Sequence, residues 1–329
     1  MWPDGFKLYD LVSRKVSVED LVLKANEPDP NGIILLHEEL RFLEPSMQVV
    51  KAYLDAIPER ITMINQDGSL PIHICAQNLN NLEILQYLLE KYPESIKIKN
   101  KFGFLPLHKA AQCKHVDGAA LKHLIEIYPK GLLQKNREGC TPLHLAVATR
   151  RPILSTVGTL LRGNNKAAIK KDRRGRLPMH YLVGHTMNTD SEDKNDYFRI
   201  FDLLSEANPD AFHITDDAGN TPLHIAVQKR NASFEIVNRL LFAYPEASTI
   251  YNKAGLCPRD MELWKGPERD EMVSQALLRS DQVRENMLAA EESVDSDDEE
   301  ALLALLAEVD AAAAAESTKI PPPEKLDAK

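Results

Sequence analysis

Six histidines, His37, His73, His108, His144, His180 and His224, follow one another at intervals of 36, 35, 36, 36 and 44 residues, and a glycine precedes each by five. A catalytic base or a metal ligand is needed once, whereas a residue that returns in register belongs to a repeated unit. Intervals of this length are those of a solenoid, in which each unit hides its apolar face against the next. The surrounding residues repeat too: GSLPIHICAQ from Gly68, GFLPLHKAAQ from Gly103, GCTPLHLAVA from Gly139, GRLPMHYLVG from Gly175 and GNTPLHIAVQ from Gly219. Weaker copies start at Gly32 and Gly255, the latter with Asp260 in place of the histidine. A proline or, once, Asn165 stands ten residues before each glycine from Gly68 onward. Length therefore varies in one connection per unit, between the histidine and that landmark.

The chemistry of one unit follows from these fixed points. Glycine permits positive φ at a turn, and a proline three residues later suits the first position of a helix. A hydroxyl just before that proline, as at Thr141 and Thr221, is placed to cap the helix. Segments such as NLEILQYLLEK, ALKHLIEIY and FEIVNRLLFAY then carry apolar residues at helical spacing, giving a second helix with one buried stripe. Tyr-Pro ends it, because the residue before proline is pushed out of the α region. Each unit thus reads as helix, turn, helix and a ten-residue loop.

The pattern resembles the ankyrin repeat, D-x-x-G-x-T-P-L-H-x-A followed by a second helix, most clearly at Asp216 to Val227 and Asn136 to Val147. The resemblance implies an all-α ankyrin-repeat solenoid of stacked helix-turn-helix units with hairpin loops over 32–265. Capping helices are expected over 1–31 and 266–290, and an acidic, Ala-rich and Pro-rich tail, mostly disordered, over 291–329. It also implies that His73, His108, His144, His180 and His224 brace neighbouring loops by hydrogen bonds. A catalytic or metal-ligand reading has no paired cysteine or carboxylate beside each histidine, so no catalytic residue, metal or cofactor is assigned. The chain departs from the family in its period of about 36 against about 33, and in the Tyr-Pro-Glu element. Leu70, Leu105 and Leu177 replace the threonine, and losing a capping hydroxyl costs around 1 kcal/mol; those three units are expected to lean harder on their neighbours.

Members of this family bind other proteins through hairpin tips and the concave face. Carried over by position, the tip and groove residues are Lys101, Phe102, Phe104, Gln112 and Cys113 in the unit at Gly103, and Arg137 and Glu138, with Cys140, Ala148 and Thr149, in the unit at Gly139. In the unit at Gly175 they are Arg173, Arg174 and Arg176, with Gly184 and His185. Phe102 and Phe104 bracket a glycine, either packing on an adjacent finger or anchoring a partner. The run KKDRRGR, Lys170 to Arg176, holds five basic residues and one acid. It is either a solvated loop or a seat for an acidic protein segment. Nucleic acid fits less well, since stacking aromatics are lacking beside it. The expectation is a non-enzymatic interaction scaffold with a protein partner and no small-molecule substrate. The alternative is an adaptor or regulatory subunit whose acidic tail recruits a second protein or inhibits the array.

Charge supports that alternative. Residues 281–329 hold 14 Asp/Glu against 4 Lys/Arg, which accounts for the net charge of −9 and leaves the rest nearly neutral. Within the tail, EESVDSDDEE precedes ALLALLAEVD, where Leu302, Leu305, Leu306 and Val309 would share one helical face. The extra residues in the 44-residue interval, MNTDSEDKND at 187–196, read as a solvated loop. Four widely spaced cysteines, without C-x-x-C, read as reduced thiols. With no apolar run of about 20 residues and no secretion-signal layout at the start, a cytoplasmic or nuclear protein is expected.

Overall fold

The computed structural model describes residues 35–41, 45–78, 82–113, 118–184, 191–228 and 234–260. The expected capping helices over 1–31 and 266–290, and the tail over 291–329, lie outside them. The described residues form twelve α-helices and no strand, arranged as six consecutive pairs. These are α1 (Leu35–Glu39) with α2 (Met47–Ala56), α3 (Pro71–Asn78) with α4 (Leu82–Lys91), and α5 (Pro106–Ala111) with α6 (Gly118–Ile127). They continue as α7 (Pro142–Val147) with α8 (Leu154–Gly163), α9 (Pro178–Val183) with α10 (Ser191–Ala207), and α11 (Pro222–Val227) with α12 (Phe234–Ala243).

From α3 onward the first helix of each pair is short and mostly buried, as in α7, where every residue from Pro142 to Val147 is inside. Proline at its first position fixes φ, and the residue before it is extended: Leu105 at φ −80, ψ 164 and Thr141 at φ −85, ψ 168. The second helix is amphipathic. α4 buries Ile84, Leu85, Leu88 and Leu89 and turns Glu83 and Glu90 outward. It stops where proline demands: Tyr92, before Pro93, has φ −142 and ψ 77.

The ten-residue connection to the next unit is not all loop. Its first half is a 3₁₀ turn, at Pro93–Lys97, Pro129–Leu133, Asn165–Ala167, Pro209–Phe212 and Pro245–Thr249. Each turn buries an apolar residue, among them Ile96, Leu132 and Ala211. First helices stack on first helices and second on second, and the interior runs as one apolar cluster from Leu36 to Ala247. No unit is a self-contained globule, which is how a solenoid distributes its stability.

The solvated loop expected at 187–196 is corrected over 191–196. These residues begin α10, which is 17 residues long where the other long second helices have ten. No glycine or proline interrupts Ser191 to Ala207. Once Tyr197, Ile200, Phe201 and Leu204 are buried, each added turn gains backbone bonds without a new nucleation cost. Residues 187–190 lie outside the described residues.

Candidate partner-binding surface

Between a second helix and the next first helix the chain projects as a hairpin finger, and the histidines hold the fingers in place. In five units the histidine Nδ1 accepts the backbone N–H three residues earlier: Leu70 to His73 and Leu105 to His108 at 3.1 Å, Thr141 to His144, Leu177 to His180 and Thr221 to His224 at 3.2 Å. The proton must therefore sit on Nε2, which donates to a carbonyl of the next finger. The acceptors are Phe104 and Ile98 for His73, then Cys140, Arg176, Asn220 and Leu256, at 3.0 to 3.2 Å. His37 in the weak first copy does the same toward Ser69 at 2.8 Å. Burial pushes His73, His108, His144 and His180 down to about 4, and lowers His37 and His224 as well. At neutral pH each is an uncharged imidazole, and in the five full copies both ring nitrogens are engaged.

The threonine hydroxyl keeps the expected cap only at Thr221, and at both positions it also meets the histidine ring. Thr141 Oγ1 lies 2.9 Å from His144 Nδ1 and caps no helix amide, while Thr221 Oγ1 lies 2.8 Å from His224 Nδ1 and accepts the His224 N–H only at 3.4 Å. Units with leucine keep the histidine–backbone bond and bury Leu70, Leu105 and Leu177 to 3 % exposure or less. Burying a leucine is worth about 1.5–3 kcal/mol, which offsets the absent hydroxyl. At the array's last described unit Asp260 accepts the Cys257 N–H at 3.2 Å in the histidine's stead. A carboxylate supplies that cap but has no proton for a following carbonyl.

Each finger closes on itself by an Asn or Asp three residues before its glycine. Asn136 Oδ1, for instance, accepts from Glu138 and Cys140 at 2.9 and 2.8 Å, while Gly139 takes φ +84. Successive fingers are tied by one backbone bond each: Lys101 to Asp67, Arg137 to Phe102, Arg173 to Glu138, Asp217 to Arg174 and Lys253 to Ala218, at 2.8 to 3.0 Å. A staircase of lysines adds to this, Lys99 Nζ donating to Lys135 O, Lys135 Nζ to Lys171 O and Lys171 Nζ to Thr215 O. The staircase was not among the features expected from the sequence, although 99, 135 and 171 carry its signal, lysine at a constant interval of 36.

These ties bring the expected tip residues together along three consecutive fingers, whereas Gln112 and Cys113 sit apart from them at the C-terminal end of α5. Lys101, Phe102, Arg137, Glu138, Arg173 and Arg174 are exposed, and Phe104, Gln112 and Arg176 are half-buried. Cys113 is buried at 7 % exposure. Phe104 leans toward His108, ring centroids 5.9 Å apart, and lies under Lys109 Nζ at 5.1 Å. Phe102 stays 51 % exposed. Arg176 lies 3.6 Å from buried Asp216 of the next finger. Asp172 turns inward, accepting the Tyr181 hydroxyl at 2.7 Å and two backbone amides. Tyr181 also touches Cys140 Sγ at 3.3 Å and meets His144 edge-on at 5.5 Å, so it locks two fingers together. Burial holds its hydroxyl well above the usual tyrosine range.

Among the described residues no group of three or more His, Cys, Asp or Glu is placed to hold a metal. All four cysteines are buried and outside any disulfide, and burial drives the Cys75 thiol up to about 12, far from the thiolate a nucleophile needs. No helix among the described residues is long and apolar enough to cross a membrane.

A family model described as ankyrin repeats in three copies matches residues 36–121 and 72–174, and a single-repeat model matches 218–250, together more than half of the chain. The chain belongs to the ankyrin-repeat family. The stretch between the matches holds the unit with the lengthened α10, and there the ankyrin brace persists in His180 although the spacing is altered. The 3₁₀ turn gives a physical account of the period near 36, since it inserts a turn with its own buried residue before each finger from Gly103 to Gly255. No curated protein matches the chain.

Proposed function

We propose that the array is a non-enzymatic scaffold whose protein partner docks on the fingers at Gly103, Gly139 and Gly175 and the adjoining concave side. Ankyrin repeats are in general protein-interaction modules. The observation that carries the reading for this chain is Phe102, an aromatic ring half in water at a rigid tip, with Lys101 and Arg137 beside it. Anchors of that kind concentrate binding energy, and flanking charge sets orientation and encounter rate. The histidines support the same reading, because both ring nitrogens of each full copy are committed to the fold. Buried thiols outside any disulfide fit a reducing compartment, the cytoplasm or nucleus.

Affinity capture from native lysate with the full chain, followed by titration of the recovered partner, tests this. Phe102→Ala is expected to weaken the partner by about tenfold or more and to leave the melting temperature unchanged, since the ring packs little. Glu substitution at Arg173 and Arg174 is expected to slow association and flatten its salt dependence. Unchanged affinity in both variants would move the interface away from these fingers.

A further inference from the structure

The cations are not spread along the array. The three fingers spanning 99–101, 135–138 and 170–176 carry Lys99, Lys101, Lys135, Arg137, Lys170, Lys171, Arg173, Arg174 and Arg176 against Glu138 and Asp172 alone. Asp172 is buried and committed to Tyr181 and backbone amides. The lysines of the staircase end on carbonyls, which anchor them without cancelling their charge. Among the described residues, Arg176 is the one finger cation of this set with a carboxylate within ion-pair distance, and that carboxylate is the next finger's Asp216. The neighbouring fingers reverse the sign or dilute it, with Asp67 before and Asp216 and Asp217 after. A rigid row of like charges held at fixed spacing repels itself and draws an anionic chain along it.

We infer that this row is the seat of the chain's own segment 291–306, its carboxylates on Arg137, Arg173 and Arg174 and its first leucines against Phe102. The inference rests on the reading of these fingers as a docking surface. Charge complementarity selects the occupant: residues 291–300 hold Glu291, Glu292, Asp295, Asp297, Asp298, Glu299 and Glu300 and no basic residue. Guanidinium forks suit carboxylates better than any other group the fingers present. Order along the chain agrees as well. Asp260 follows the last finger, so a segment returning toward the first finger meets Arg173 and Arg174, then Arg137, then Phe102; the acidic block comes first and Leu302, Leu305 and Leu306 come after it.

The reach is sufficient. Stacked helices lie about 8–10 Å apart, so going back two to four units takes roughly 20–40 Å. The 30 residues between Asp260 and Glu291 span at most about 100 Å extended and about 45 Å if wholly helical. Tethering places the segment at roughly millimolar local concentration, so even a weak contact is populated and any outside partner must displace it. Neutralising or further charging the segment then changes access to the fingers without touching them.

Zero-length carbodiimide cross-linking of the full chain, read by peptide mass spectrometry on the monomer band, tests the seat. Amide links from Lys135, Lys170 and Lys171 to carboxylates of 291–300 are expected, their yield falling about tenfold between 20 mM and 1 M NaCl as the Debye length shrinks. The full-length triple variant Arg137→Glu, Arg173→Glu, Arg174→Glu is expected to lose the same links while keeping the parent's circular dichroism and melting temperature. Links as frequent to Lys51 and Lys91, which sit on second helices, would overturn the assignment, as would links found only between molecules. If those charge changes abolish partner capture while no intramolecular link forms, the docking surface stands and self-docking falls. If the links form but no partner depends on the fingers, the reverse holds.

Discussion

Acidifying the protein from pH 7 to pH 4 is expected to unfold the array cooperatively, with a midpoint around pH 5. His73, His108, His144 and His180 are held near 4 by burial, against an ordinary value of 6.5. Between those two values the unfolded chain takes up protons that the folded chain refuses. Stability is therefore fully present above about 6.5, lost as pH falls through the window, and not further eroded by these groups below 4. A shift of that size is worth about 3 kcal/mol per imidazole. Four of them approach the whole stability of a typical domain, about 5–15 kcal/mol. Geometry gives the reason for the refusal: a second ring proton would arrive on Nδ1, which already faces a backbone N–H. Urea titrations read by far-ultraviolet circular dichroism at half-unit steps check this. A midpoint that stays level from pH 7 to 4.5 is incompatible with buried neutral braces.

Gly139→Ala is expected to cost about 3 kcal/mol or more, and Gly255→Ala about 1. Both glycines have positive φ, 84 and 74. At Gly139 an added Cβ would also fall 2.5 Å from Arg173 N and 2.9 Å from Asp172 C, backbone atoms of the next finger that are fixed by the Arg173 to Glu138 bond. At Gly255 nothing among the described residues lies within 4 Å. The difference between the two variants isolates the close approach of fingers from the backbone strain common to both. Equal losses in chemical denaturation would mean that the fingers are not in tight register.

Much of this architecture was legible because its determinants are local and repeated. Gly at the turn, Pro at the first helical position and Tyr-Pro at the second helix's end each act within a few residues, so recurrence alone exposes them. The 3₁₀ turns were not legible, because Pro-Glu-Ser-Ile-Lys reads equally well as a loop until Ile96 finds a core to enter. Nor was the role of Thr141: a hydroxyl before a proline is a capping signal, and only the folded position of His144 shows that the ring takes the hydroxyl instead. The α10 extension was missed for a related reason, since a polar run carries no stripe of its own and becomes helical by continuing a docked one. On the binding surface, position within the unit located the exposed tips but not the burial of Cys113. It also missed the pairing of Arg176 with Asp216, a contact between residues 40 apart.

The recurrent imidazoles are parts of the frame. Long-range proton–nitrogen correlation spectra of the full chain, with the histidine rings labelled, address that directly. The expected result at pH 7 is five rings, His73, His108, His144, His180 and His224, each neutral with its proton on Nε2, insensitive to added zinc or chelator, and titrating only where the fold itself is lost. A ring among the five that is cationic at pH 6, carries its proton on Nδ1, or shifts on addition of zinc would contradict it.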